Sequence, residues 1–265
     1  MADSARSAAV LEAILKRDQV IVAGGLLLLI ALAWAWLLAG AGMGHDMADM
    51  PDMVMAPPAW TPRYALVMFA MWWVMMVAMM LPSAAPTILL LAAVNRARRN
   101  DPPYGAVGFF IAGYLHVWAL FSVGAVLAQA ALDASGLLSA AMAAASPCLA
   151  GALLIGAGLW QFTPLKRMCL RQCRSPVSFL TEHRRPGALG SLRMGAEHGA
   201  YCLGCCWFLM ALLFVGGVMN LAWIWALSVY VLVEKLAPWG PRISAVVGGL
   251  LALCGAALLL GLTPA

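Results

Sequence analysis

One imidazole and three thiols open a long apolar run: His198-Gly-Ala-Tyr-Cys202-Leu-Gly-Cys205-Cys206-Trp207, with Glu197 just before it. On a helix, His198, Cys202, Cys205 and Cys206 fall at i, i+4, i+7 and i+8 and share one stripe. Thiolates and an imidazole form a soft donor set that suits Cu(I), with zinc or another transition metal as alternatives. The run continues without charge to Val218 and is long enough to cross a bilayer. The bland reading is that three free cysteines serve as small packing residues.

Four other places carry related chemistry. Residues 43–55 hold five Met, one His and three Asp in thirteen positions, with Met43, His45, Met47 and Met50 as candidate copper ligands. An acidic loop with its Met residues on the bilayer surface is the competing reading. Met71, Met75 and Met79 lie on one helical stripe just before Pro82 and Pro86, which are expected to kink or interrupt the helix. Met is equally an adaptable apolar filler. Cys169 and Cys173, at i and i+4 in a basic segment, face the same way on a helix and offer half of a metal site. A basic amphipathic segment lying on anionic lipid would look the same. His116 and Glu234 are ionisable groups in or at the edge of apolar runs. His116 is otherwise a neutral imidazole bonded to a neighbouring backbone carbonyl, and Glu234 a partner for Lys235.

The elements that position these groups are read from charge and hydropathy. Of the 265 residues, 64% are apolar and 10% charged, where a soluble domain carries about 25% charged residues. The expected fold is all-α: a polytopic helical membrane protein with about seven transmembrane helices near 20–40, 64–91, 104–131, 147–163, 197–218, 221–236 and 243–262. With the N-terminus inside, 15 of the 16 Lys and Arg fall on the cytoplasmic side and only Arg63 outside. The topology is therefore N-in, C-out, and the charge of +5 reflects topology, not nucleic-acid binding. Three regions follow. Residues 1–19 are a cytoplasmic N-terminal segment. Residues 20–63 are an uncleaved anchor helix with the Met/His/Asp-rich outer loop, the first apolar run being longer than the usual ~7–15-residue signal core. Residues 64–265 are a six-helix domain with a basic cytoplasmic loop at 164–196. None of the seven cysteines falls in an extracytoplasmic loop proper, so reduced thiols are expected. Trp72-x-x-Met75 echoes Trp207-x-x-Met210 and Trp118-Ala-Leu echoes Trp225-Ala-Leu, a faint sign of an inverted repeat.

Three blocks carry a family resemblance: Met71-Trp-Trp-Val-Met75-Met-Val-Ala-Met79-Met80-Leu-Pro82; Gln161 to Lys166 through Cys169, Cys173 and Pro176; and Arg193 through His198, Cys202, Cys205, Cys206, Trp207 and Met210 to Asn220 and Glu234-Lys235. Over most of 64–240 the chain resembles a family of bacterial predicted metal-binding integral membrane proteins. The resemblance implies a multi-helix protein of the bacterial inner membrane associated with a metal, and brings no established reaction. The leading expectation is Cu(I) handling, by transport or transfer, through intramembrane Cys and Met ligands. The alternatives are a membrane thiol or metal oxidoreductase and an assembly factor that delivers metal to a partner complex. Whether the chain is an enzyme stays open. No P-loop pattern is present, so a nucleotide-driven pump is not expected. The expected partners are the lipid bilayer, a metal ion, and a metallochaperone or membrane complex, with no nucleic acid.

Overall fold

The computed structural model describes residues 2–40, 60–99, 103–139 and 141–262. They form ten helices: α1 (Ala2–Leu38), α2 (Pro62–Arg99), α3 (Tyr104–Ala134), α4 (Pro147–Trp160), α5 (Pro164–Arg174), α6 (Pro176–Glu182), α7 (Gly187–Ala211), α8 (Leu213–Gly216), α9 (Leu221–Leu236) and α10 (Gly240–Leu259). Among the described residues there is no strand, only one isolated bridge between Leu138 and Ala144. Five helical stretches are long and apolar enough to cross a membrane, or six if the bent pair α4–α5 counts as one. Their outward faces carry exposed Leu28, Leu32, Leu120, Leu127, Leu250 and Leu253.

Several expected boundaries shift for identifiable reasons. The N-terminal segment and the anchor helix are one continuous 37-residue helix. The fourth run ends at Trp160, because Pro164 cannot donate to the preceding turn and Thr163 caps a new helix by accepting from Lys166 N at 3.2 Å. The new helix turns by 66°. Residues 164–196 are thus no simple loop: α5 and α6 fold back onto the bundle, and Lys166, Cys169, Leu170, Cys173, Phe179 and Leu180 are buried. The fifth run begins ten residues earlier than expected, at Gly187, since Arg193 and Glu197 sit comfortably on a helix face as an i, i+4 ion pair.

Pro82 and Pro86 do not interrupt α2, which runs through them for 38 residues. Between them, Ser83 Oγ and Tyr114 Oη both donate to Met80 O, at 2.8 and 3.0 Å, the tyrosine tying α3 to this part of α2.

Glycines set the closest approach. A Cβ on Gly195 would run into the Phe110 backbone, and one on Gly113 into the Leu192 carbonyl, so α3 and α7 touch backbone to backbone. The α4–α10 pair closes similarly through Gly158 and Gly248. Asp18 of α1 pairs with Arg96 of α2 and accepts from Tyr104 Oη of α3 at 2.9 Å, tying three helices at one end. The tryptophans that echo one another do not occupy equivalent places, although Met75 and Met210 are both buried. Trp72 and Trp118 are fully buried, whereas Trp207 and Trp225 are exposed.

Candidate metal centre

Where α5, α7, α9 and α2 converge, the bundle contains sulfur. α7 presents Cys202, Cys205 and Cys206 inward, all at most 1% exposed. The stripe expected from their spacing is therefore the buried face. Cys205 Sγ and Cys206 Sγ donate back to Cys202 O at 3.0 and 2.9 Å, which orients both thiols. From α5, Cys173 Sγ lies 4.0 Å from Cys205 Sγ. From α2, Met80 Sδ lies 3.8 Å from Cys206 Sγ. Gly204 lets α5 approach this face, since a Cβ there would come within 2.7 Å of Cys169 Sγ.

Two residues that sequence reasoning had not placed here complete the cluster. Lys235 Nζ donates to Cys202 Sγ at 2.9 Å and to Ser83 Oγ at 3.2 Å. Tyr114 Oη lies 3.1 Å from Cys202 Sγ. The signal that would have found Lys235 is a charged residue inside an apolar run, the criterion already applied to Glu234.

Glu234 does not pair with Lys235. Adjacent positions on a helix point about 100° apart, and the two diverge accordingly. Glu234 Oε1 accepts from Lys166 Nζ at 2.5 Å, Ser244 Oγ at 2.5 Å and Tyr230 Oη at 3.0 Å. Gln161 also accepts from Lys166. This second polar knot is buried beside the thiols, with Glu234 0% and Lys166 1% exposed.

The other expected site residues are distributed differently. His198 is buried but boxed by the rings of Phe179, Phe110 and Tyr114, at centroid distances of 4.8, 5.8 and 6.0 Å. Among the described residues its Nδ1 has no hydrogen-bond partner, and it makes no bond to the thiols. Glu197 is bound by Arg185 at 2.8 Å and Arg193 at 3.3 Å, at the edge of the bundle. His116 faces outward from α3, exposed and away from the sulfur. Met71, Met75 and Met79 are fully buried along α2, and the methionine that reaches a cysteine is their neighbour Met80. Cys169 and Cys173 do not form an isolated pair in a loop. Cys173 joins the α7 thiols, and Cys169 packs against Gly204. Met43, His45, Met47 and Met50 lie outside the described residues.

The donor set fits a soft ion. Four thiols and a thioether, with no carboxylate or imidazole bonded to them, match the preference of Cu(I). The 4.0 Å between Cys173 and Cys205 can be bridged by an ion about 2.3 Å from each sulfur, the usual metal–thiolate distance for zinc. The sulfurs meet pairwise and do not converge on one point. Among the described residues, no three His, Cys, Asp or Glu side chains are grouped as a closed metal site would require. A two- or three-sulfur arrangement remains, short of the four-ligand shell of a closed structural site. All seven cysteines are free in this structure.

Comparison with known proteins gives one family. The family model PpoB2, described as a copper chaperone, matches residues 69–258. That span includes every thiol of the cluster, Met80 and Lys235. No curated protein and no solved structure matches the chain.

Proposed function

We propose, from the premise that this chain belongs to the PpoB2 copper chaperone family, that it is a membrane-embedded carrier that holds Cu(I) on buried sulfur and passes it on. The observation that carries this reading is the meeting of Cys173 and Cys205 at 4.0 Å, with Met80 on Cys206 at 3.8 Å. Three helices from distant parts of the chain contribute one sulfur cluster, which packing alone does not require. Cu(I) is cargo here. Thiolate and thioether suit it by softness, and a ligand set short of a closed four-ligand cage suits release more than permanent storage.

Embedding in the bacterial inner membrane, with an N-in, C-out orientation, is part of the proposal. The helices with exposed Leu28, Leu120, Leu127 and Leu253 support it, since a soluble protein rarely shows so much apolar surface. The row of buried methionines, Met71, Met75, Met76 and Met79, leads along α2 to Met80 and suits stepwise movement of a soft ion. The receiving partner is a metallochaperone or a membrane complex.

The test is copper content of the purified full-length chain, kept reducing, for wild type beside Cys202/Cys205/Cys206→Ala. Copper retained by wild type and lost by the variant supports the carrier. Equal copper in both, or none in either, removes it. A second reading, thiol–disulfide exchange, draws on the same approach of Cys173 to Cys205. A Cys173–Cys205 disulfide formed and reduced in step with a substrate protein would favour it.

A further inference from the structure

Lys235 is 3% exposed. A buried ammonium is costly unless a counter-charge or a full set of acceptors meets it. Among the described residues no carboxylate pairs with Lys235. Glu234 is committed to Lys166, Ser244 and Tyr230, and Glu197 to Arg185 and Arg193. Each buried lysine thus has its own partner: a carboxylate for Lys166, and the Cys202 sulfur with a hydroxyl for Lys235. Thiolate affinity alone does not separate Cu(I) from zinc, because thiolates hold both. The charge next to the thiolates does.

We infer that Lys235 is the fixed counter-charge that makes the thiol cluster accept a soft monovalent cation in preference to a divalent one. The inference rests on the carrier reading above and narrows its cargo class. Two thiolates carry two negative charges, and the Lys235 ammonium offsets one. A monovalent ion then brings the buried site to neutrality, while a divalent ion leaves one positive charge in apolar surroundings. The thiol protons released on binding pass to solvent. Without the lysine the count reverses: a divalent ion closes to neutrality, and a monovalent ion leaves one negative charge. An uncompensated unit charge is most costly in a low-dielectric interior.

The experiment offers Ag(I) and Zn(II) together to the full chain in detergent and counts bound metal by mass spectrometry. Ag(I) is the probe because it is a soft monovalent ion without redox cycling. Wild type is expected to favour Ag(I). Lys235→Met is expected to shift the Ag(I)-to-Zn(II) ratio toward zinc by ~10-fold or more, the scale of one charge interaction at contact distance. Lys235→Arg should keep the wild-type ratio. Ser83→Asp sets a carboxylate where the ammonium now meets a hydroxyl and should shift the ratio as the Met variant does, which decides the matter if the Met variant does not fold. An unchanged ratio with Ag(I) still bound overturns the inference and leaves the carrier standing. Wild type that takes up neither ion overturns the carrier reading itself.

Discussion

Cys173 and Cys205 are 32 positions apart, yet their sulfurs lie 4.0 Å from each other. Neither thiol alone is unusual, since buried free cysteine is common. Their approach across two helices, with Met80 on the adjacent thiol, is what gives the cluster a donor's character. Cys205→Ser or Cys173→Ser is therefore expected to weaken Cu(I) retention by more than the ~10–100-fold typical of losing a supporting contact. Competition with a copper-binding dye measures it. Cys148→Ser and Cys254→Ser should not change retention, both thiols being exposed and outside the cluster. His198→Phe should also retain copper, because the imidazole sits among Phe110, Tyr114 and Phe179. Copper lost in that variant would return His198 to the ligand set. The spacing of Cys202, Cys205 and Cys206 showed which face they share, because helical period alone decides that. It did not show what meets that face. Cys169 and Cys173 looked like a pair of their own at i, i+4, and the Cys173 partner depends on how α5 folds back, which no local pattern encodes. Lys235 was read as the end of a span, because charge is ordinarily the mark of one.

At the scale of elements, two contacts hold the cluster in place, and each is open to a stability measurement. The first is α3 on α7. Gly195→Val would push branched carbons into the Phe110 backbone and separate the helices, for an expected loss of about 1–3 kcal/mol and a lower Tm in detergent. An unchanged Tm would mean that the helices do not approach this closely. The second is the knot of Lys166 and Glu234, which ties α5 to α9. Glu234→Gln leaves a buried ammonium without its counter-charge and is expected to cost about 3–5 kcal/mol. Lys166→Met in the same chain removes that ammonium, so the double variant should recover much of the loss. Additive losses would show that the two groups do not act as a pair. The long apolar helices were legible because uncharged length is a strong signal. α5 and α6 were not, having no apolar run, although Thr163-Pro164 spelled a helix start. Pro82 and Pro86 pointed the other way, toward a break. The Tyr114 hydroxyl that reaches Met80 O from α3 belongs to the neighbourhood and not to the local sequence.

For the molecule as a whole, charge is arranged along one axis. Asp18 with Arg96, Tyr104, and the start of α7 with Arg185 gather at one end, while Arg63 stands at the opposite end of α2. In the proposed N-in, C-out orientation the basic end would face the cytoplasm, and the start of α4, with exposed Cys148, would lie on the outer side. Cys254 is exposed as well, but it lies beside Leu250 and Leu253 on the apolar face of α10, where lipid would exclude a polar reagent. The remaining thiols are buried. A membrane-impermeant maleimide added to intact cells is therefore expected to modify Cys148 alone, and Cys148→Ser should abolish the signal. Inside-out vesicles should show none until the protein is denatured. Labelling in the vesicles but not in the cells would reverse the orientation, and labelling of Cys254 in both would mean that α10 faces water. The same preparation separates a carrier from a surface-bound protein. A chain held by five or six apolar helices stays with the membrane through alkaline carbonate, and release would remove the bilayer from the proposal.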